Sequence, residues 1–213
     1  MAIIKGLHAK LIAENVEGVM KKKGYTFFSK GNYNVNIIGV RSKEKKANNF
    51  DDTMLLIYKN KKGVWEVLSS VITTDPGTYY LIDHPVNSAG TAILVPGQYR
   101  GVYKVDIHAA SNPNFAHEAL CQRGATLKVW RDDNFDNILD HDPDSVDEGW
   151  FGVNIHRSKS SGEAAYVGSY SAGCQVFKNS TDFKQFMAVI NKSKSMYSNS
   201  FSYTLLDEAD FKD

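Results

Sequence analysis

A chain of 213 residues is long enough for one sizeable hydrophobic core, or for one domain with a small appendage. Hydrophobic residues at 42% and charged residues at 23% are ordinary globular proportions, which excludes a disordered or fibrous chain. With 25 basic against 24 acidic residues the net charge is +1, so the charge balance points neither to nucleic acid nor to a membrane surface, and no apolar run is long enough to span a bilayer.

In chain order, residues 7–24 predict a helix with Leu7, Leu11, Ile12, Val16, Val19 and Met20 on one face and Gly24 as its stop. Residues 33–40 and 53–58 are strand-like and are separated by a polar, lysine-rich loop. The lysine clusters at 21–23, 43–46 and 59–62 sit beside turn residues without interleaved aromatics, the pattern of a solvated surface rather than a phosphate-binding face. Asn60-Lys61-Lys62-Gly63 predicts a hairpin turn into a strand at 64–68. Short β segments follow at 79–82, 92–95, 101–107, 126–130, 152–155 and 174–177, broken by Gly, Pro, Asn and Asp. A second helix is predicted over 181–190, capped by Ser180 or Thr181, with Phe183, Phe186, Met187 and Ile190 inward. Residues 201–206 predict a closing strand. The expected fold class is mostly β (α+β), with many short strands between N-terminal and C-terminal helices. Residues 1–64 are expected to pack on or extend a unit at 65–213, or to form one domain with it.

Two segments carry chemistry. Gly152-Val153-Asn154-Ile155-His156 ends a strand in histidine, and Tyr170-Ser171-Ala172-Gly173-Cys174-Gln175 presents a cysteine from a small-residue turn. An ordinary thiol is mostly protonated at neutral pH, and an adjacent imidazole accepts its proton or holds the thiolate as an ion pair. Gly173 allows close backbone approach, so the amides of Gly173 and Cys174 are candidate oxyanion donors, and Ser171 is a candidate for positioning the loop. Taken singly, a cysteine is more often a small buried hydrophobe and a histidine a satisfied structural residue. Cys121 and Cys174 are too few for a disulfide framework and are expected to be unpaired.

The order and spacing of these residues resemble the signature of the L,D-transpeptidase (YkuD-like) catalytic domain, a histidine followed by a variable loop and Ser/Thr-His-Gly-Cys. Ser171 and Cys174 follow His156 by 15 and 18 positions. Thr73-Thr74-Asp75-Pro76-Gly77-Thr78-Tyr79-Tyr80 is similar to the Thr-Pro-x-Gly-x-Tyr/Phe element that precedes the catalytic half of that domain, and the resemblance spans roughly residues 65–180. The family's second histidine is Ala172 here, and Arg157-Ser158 follows His156 in place of Gly-Ser/Thr. The resemblance implies a β-sandwich with Cys174 as nucleophile and His156 as base and then acid. The substrate would be a peptidoglycan stem peptide, cleaved before D-alanine and passed as a thioacyl enzyme to an amine or to water. Arg157 and Gln175, at the positions flanking the motif, are substrate-binding candidates. A divergent, bacteriophage-encoded member fits, and an L,D-endopeptidase or carboxypeptidase is the alternative enzyme. A non-catalytic wall-binding or virion module is the alternative of another class. The first eight residues lack the basic-then-apolar order of a secretion signal, so either the chain reaches the wall by lysis or within a particle, or its substrate is a cytoplasmic precursor or another molecule.

Other candidates are weaker. His108 also follows a strand-like run and is a candidate to line the same cleft, and Arg131 at a strand end is a candidate for a stem-peptide carboxylate. His84, His108, His117 and His141 have no close metal-ligand spacing, so no metal or other cofactor is expected. Asp132, Asn134 and Asp136 begin like a calcium loop, but Asn137 and Pro143 replace the required glycine and glutamate, which favours ordinary Asx turns.

Overall fold

The computed structural model describes residues 2–212. The expected mostly β, α+β architecture is what the chain adopts. Its twelve strands are β1 (Ala2–Lys5), β2 (Asn36–Arg41), β3 (Asp52–Lys59), β4 (Trp65–Thr73), β5 (Thr91–Leu94), β6 (Gly97–His108), β7 (His117–Gln122), β8 (Leu127–Asp132), β9 (Asp147–Gly149), β10 (Ile155–Arg157), β11 (Gln175–Phe177) and β12 (Phe201–Asp207). Two long helices, α1 (Leu7–Lys22) and α2 (Ser180–Met196), accompany them.

The main sheet runs β4-β11-β10-β7-β6-β12-β2-β3, and β3 pairs back onto β4, closing eight strands into a barrel. β2 and β3, from the first 64 residues, are therefore staves of the same barrel as β10 and β11. Closure was not legible from strand pattern, because it depends on β4 offering both edges: Asp52–Lys59 lines one, while β1 and then β11 share the other. The pairs β10–β11 and β12–β2 are parallel and the remaining pairs antiparallel. A second antiparallel sheet, β5-β8-β9, lies outside the barrel. Arg41, fully buried at the end of β2, ties the two sheets together. Its guanidinium donates to Thr74 Oγ1 and to the carbonyl of Leu94, and pairs with Asp75 at 3.1 Å.

The core contains Ile37, Leu56, Leu68, Ile72, Leu120, Ile155, Phe177 and Tyr203. α2 adds Phe183, Phe186, Met187 and Ile190, all buried as their spacing predicts. Its cap is Asn179, rather than Ser180 or Thr181, with the side-chain oxygen accepting from Thr181 N and Asp182 N. α1 covers a second cluster on Ile38, Ile57, Val67 and Leu206. Its buried stripe is Ala9, Ala13, Val16, Val19 and Met20, whereas Leu7 and Leu11 are exposed. The two alanines bring the helix close to the sheet, an advantage that hydrophobicity alone does not register. Gly24, at φ 75°, ends the helix as expected.

Residues 79–82 do not form the expected strand. Pro76-Gly77 instead starts a helical turn, with Tyr80 N and Leu81 N both bonding Gly77 O, and Tyr79–Asp83 is π-helical. Tertiary packing overrides the β preference of the aromatic run: Leu81 is buried with Ile93 and Leu139, and Tyr79 stacks on His84 at 4.2 Å. Among the described residues no helix is long and apolar enough to cross a membrane.

Candidate active site

Short parallel strands β10 and β11 position the two central residues. Ile155 lies opposite Gln175 and Arg157 opposite Phe177, and the ladder continues one step earlier through Gln175 N to Asn154 O at 2.8 Å. Directly paired residues share a face and neighbours along a strand alternate. Ile155, Arg157, Gln175 and Phe177 therefore point one way, and Asn154, His156, Cys174 and Val176 the other. Cys174 sits beside Asn154, and His156 lies two residues further along, about 7 Å at the usual strand rise.

The thiol is half-buried. Its sulfur accepts a hydrogen bond from Asn154 N at 3.3 Å, and the S–H donates to Gly152 O at 3.6 Å. Burial pushes it up to about 11, against the opposing pull of the Asn154 N–H. His156 is buried, and its Nδ1–H donates to its neighbour's carbonyl, Arg157 O, at 2.8 Å. That bond fixes the tautomer and leaves Nε2 as the free acceptor. Burial, with His108 adding to it, holds the ring well below the usual histidine range, so it is neutral and less basic than an ordinary imidazole.

The β6–β7 hairpin brings two more imidazoles to this face. His108 and His117 are directly paired. His108 reaches over fully buried Ala119 to stack on His156, with ring centroids 4.0 Å apart and planes 14° from parallel. The amide of Asn154 locks it there: its oxygen accepts from Gln122 N at 2.9 Å, so its NH2 faces His108 Nδ1 at 3.1 Å. His108 consequently carries its proton on Nε2. Burial, the neighbouring His117 and Arg123 hold it at about 4. His117 gives Nδ1–H to Phe115 O at 2.7 Å, and its buried Nε2 has no partner.

Ser171 is fully buried; it donates to Cys174 O at 2.8 Å and accepts from Gly173 N at 3.1 Å, which pins the turn that presents the thiol. The Gly173 amide is therefore spent inside the turn and is not a free oxyanion donor, a correction to its expected role. Gly173 is required for another reason: it sits at φ 113°, and a Cβ there would lie 2.4 Å from Ala92 O. Gln175 is fully buried rather than substrate-facing, with its amide bonded to Thr74 O, Gly173 O and Tyr203 OH. Arg131 does border the cysteine's pocket, but its guanidinium is held by Asp147 at 2.8 Å and Gly90 O at 3.2 Å, above Phe151.

Two cavities flank the strand pair. Cys174 opens into a pocket of about 240 Å³ with Ala172, Gly152, Thr91, Arg131 and exposed Trp150. His156 opens into a cavity of about 700 Å³, walled by Tyr79, Tyr80, His108, His117 and Arg157. No hydrogen bond joins Sγ to an imidazole among the described residues. In the aspartate-rich loop, Asn134 and Asp136 side chains accept from backbone N–H groups two residues on, forming Asx turns, and no metal-binding cluster of His, Cys, Asp or Glu occurs among the described residues.

His117 and Asn154 were not singled out by sequence. The signal for His117 is Asn112-Pro113, a turn whose closure pairs residues nine apart, and it is usable only once residues 117–122 are recognised as a strand. Asn154 acts on the thiol through its backbone, which no side-chain pattern reveals. Compared with protein-family models, with characterised proteins and with solved structures, the chain matches none.

Proposed function

We propose that this chain is a cysteine-dependent enzyme that transfers or cleaves peptidoglycan stem peptides through a thioacyl intermediate, on a fold of the L,D-transpeptidase type. One observation carries the proposal: Cys174 and His156 share a face of adjacent parallel strands, with the histidine's Nδ1–H committed to Arg157 O and its Nε2 free. Catalytic hydrogen bonds are commonly long in a free enzyme and tighten with substrate.

In the proposed reaction His156 Nε2 takes the thiol proton as Sγ attacks the scissile carbonyl carbon. The Asn154 N–H, already at the sulfur, favours the thiolate as it forms. The tetrahedral oxyanion falls to the Cys174 amide, which has no protein acceptor among the described residues. Collapse breaks the C–N bond, and His156 returns its proton to the leaving amine. An amine or water then attacks the thioester and releases the thiol.

A second proposal, a wall-binding or virion module with no chemistry, is favoured by a specific feature: the thiol and the imidazole open into different cavities, and the thiol is held at about 11. Incubation of wild type and Cys174→Ala with purified muropeptides, followed by mass spectrometry, separates them. Cross-linked, trimmed or cleaved products that vanish in the variant are expected, and their identity tells transfer from endopeptidase or carboxypeptidase action. Absence of any mass change with wild type, on diaminopimelate and lysine stem peptides alike, overturns the enzyme proposal.

A further inference from the structure

Strand geometry alone would keep His108 and His156 apart. β7 lies between β6 and β10, so side chains standing upright on those two strands would be about 10 Å from each other. Their rings are instead 4.0 Å apart at the centroids and 14° from parallel. Two features allow the contact. The β7 residue opposite His156 is fully buried Ala119, one step on from the Leu120–Ile155 pair, and its methyl group leaves room for a ring to lean across. The Asn154 carboxamide then fixes the lean: its oxygen accepts from Gln122 N at 2.9 Å, and its NH2 meets His108 Nδ1 at 3.1 Å. His117 closes one edge, 6.0 Å from His156, and is itself backed by Phe183 of α2 at 5.8 Å.

The nitrogens are placed as well as the rings. Each Nδ1 is committed, His156 to Arg157 O and His108 to Asn154, and among the described residues no protein group bonds either Nε2. A stack kept for packing alone would be served by two apolar rings, with no nitrogens to satisfy. Asn154 also gives its backbone N–H to Cys174 Sγ at 3.3 Å, so one residue ties the stack to the nucleophile. Resting on the reaction proposed above, we infer that His108 is a positioning residue for the base: clamped by Asn154, its ring covers one face of His156 and holds that imidazole in a single orientation. His108 itself carries no proton in the reaction. The titratable and charged groups about His156 are His108 on β6, His117 on β7 and Arg157 on β10, with Cys174 on β11. Arg123 acts on His108, and α2 presents the uncharged Phe183 to His117.

The test uses the full chain with three substitutions at one position. His108→Ala removes the ring, His108→Gln keeps an acceptor for the Asn154 amide without a flat face, and His108→Phe keeps the flat face without nitrogens. NMR of nitrogen-15-labelled histidine follows the protonation of His156 with pH, its signals identified by their loss in His156→Gln. Burial is the main cause of the low His156 range, and the charge of His108 the lesser. Opening one face to water should therefore raise the midpoint by roughly one unit or more in the Ala and Gln variants, toward the ordinary 6.5, while the Phe variant keeps it low. An unchanged midpoint in His108→Ala and His108→Gln, or an equal rise in His108→Phe, overturns the inference. Should His108→Ala not fold, His108→Gln carries the comparison alone. Asn154→Asp checks the clamp: a carboxylate in place of the NH2 should draw the His108 proton onto Nδ1, and a proton that stays on Nε2 alone overturns the clamp. Muropeptide turnover tests what the stack is for. The acid limb of kcat/KM should move up with the midpoint in the Ala and Gln variants, costing roughly tenfold at pH 5 and little at pH 8, and should stay in place in the Phe variant. A limb that stays while the His156 midpoint moves means that the ring is held for something other than this reaction, which overturns the positioning role. If wild type turns over no muropeptide, the reaction and the base role fail together, and the NMR comparison alone decides whether His108 holds the ring.

Discussion

Cys174 gives its proton to Gly152 O and receives one backbone N–H, and burial holds it at about 11. At pH 7 about one thiol in ten thousand is then ionised. The resting site holds a neutral thiol and a neutral imidazole with no hydrogen bond between them, so in the proposed reaction proton transfer would accompany attack. Alkylation by iodoacetamide should accordingly accelerate about tenfold per pH unit from pH 7 to 10. Cys121, fully buried and also near 11, should lag well behind Cys174. A rate plateau below pH 7 that His156→Ala removes would instead reveal a preformed thiolate–imidazolium pair. The residues of this site were legible to different degrees. His156 and Cys174 stood out because each ends or begins a strand at a spacing that a parallel pair can align. Gly173 was noticed for its flexibility, yet its role depends on Ala92 O, about eighty residues away in sequence, and no local pattern contains that contact. Gln175, next to Cys174 in sequence, is expected at the site surface, but alternation along β11 turns it to the barrel interior.

At the scale of elements, the segment after β4 supports the loop that carries Cys174. Gly77 N donates to Ser171 O at 2.9 Å, and a Cβ on Gly77 would meet Gly168 O at 2.0 Å. The approach is backbone to backbone, so no side chain can move aside. Gly77→Ala should destabilise the chain by on the order of 1–3 kcal/mol, the usual cost of overpacking. It should also displace the Ser171–Cys174 turn, speeding Cys174 alkylation relative to Cys121. Urea unfolding together with peptide-resolved alkylation reads both effects; unchanged stability would mean that residues 168–171 are not packed on Gly77. Element type was readable where one signal dominated, as in the Phe183-Phe186-Met187-Ile190 stripe of α2 or the Asn60–Gly63 turn, where Gly63 adopts φ 73°. It was unreadable where packing decided. β7 was missed because Glu118 is exposed and the next four residues are all buried, which hides a two-residue period. β1 was missed because four residues hold little pattern and owe their pairing to β4.

Across the whole molecule, buried ionisable groups pull stability in opposite directions as pH changes. Burial, with the charges of Asp140, Asp136 and Asp133, raises Asp132 from the ordinary 3.8 to about 6, and burial raises Asp52 as well. A raised carboxyl keeps its proton in the fold after the unfolded chain has lost it. Its contribution is complete below about pH 4 and is lost as pH rises through about 6. Burial lowers His108 and His141 from 6.5 to about 4, so the unfolded chain takes up protons first. Their contribution is complete above about pH 6.5 and is lost as pH falls toward 4. The two sets oppose each other between pH 4 and 6, and wild-type stability should vary less there than either set alone would dictate. Asp132→Asn separates them. Asp132 Oδ2 accepts from Asp140 N at 2.9 Å, while Oδ1 is buried without a partner, so an amide keeps the acceptor and removes the charge. Above pH 6 the variant should be more stable than wild type by about 1–2 kcal/mol, a gain that fades below pH 4 where the acid is neutral in both states. Urea midpoints at pH 3.5, 5 and 7.5 measure the crossover. Destabilisation at pH 7.5 would mean that the negative charge is itself used in the fold, as it would be by a cation held in the aspartate-rich loop.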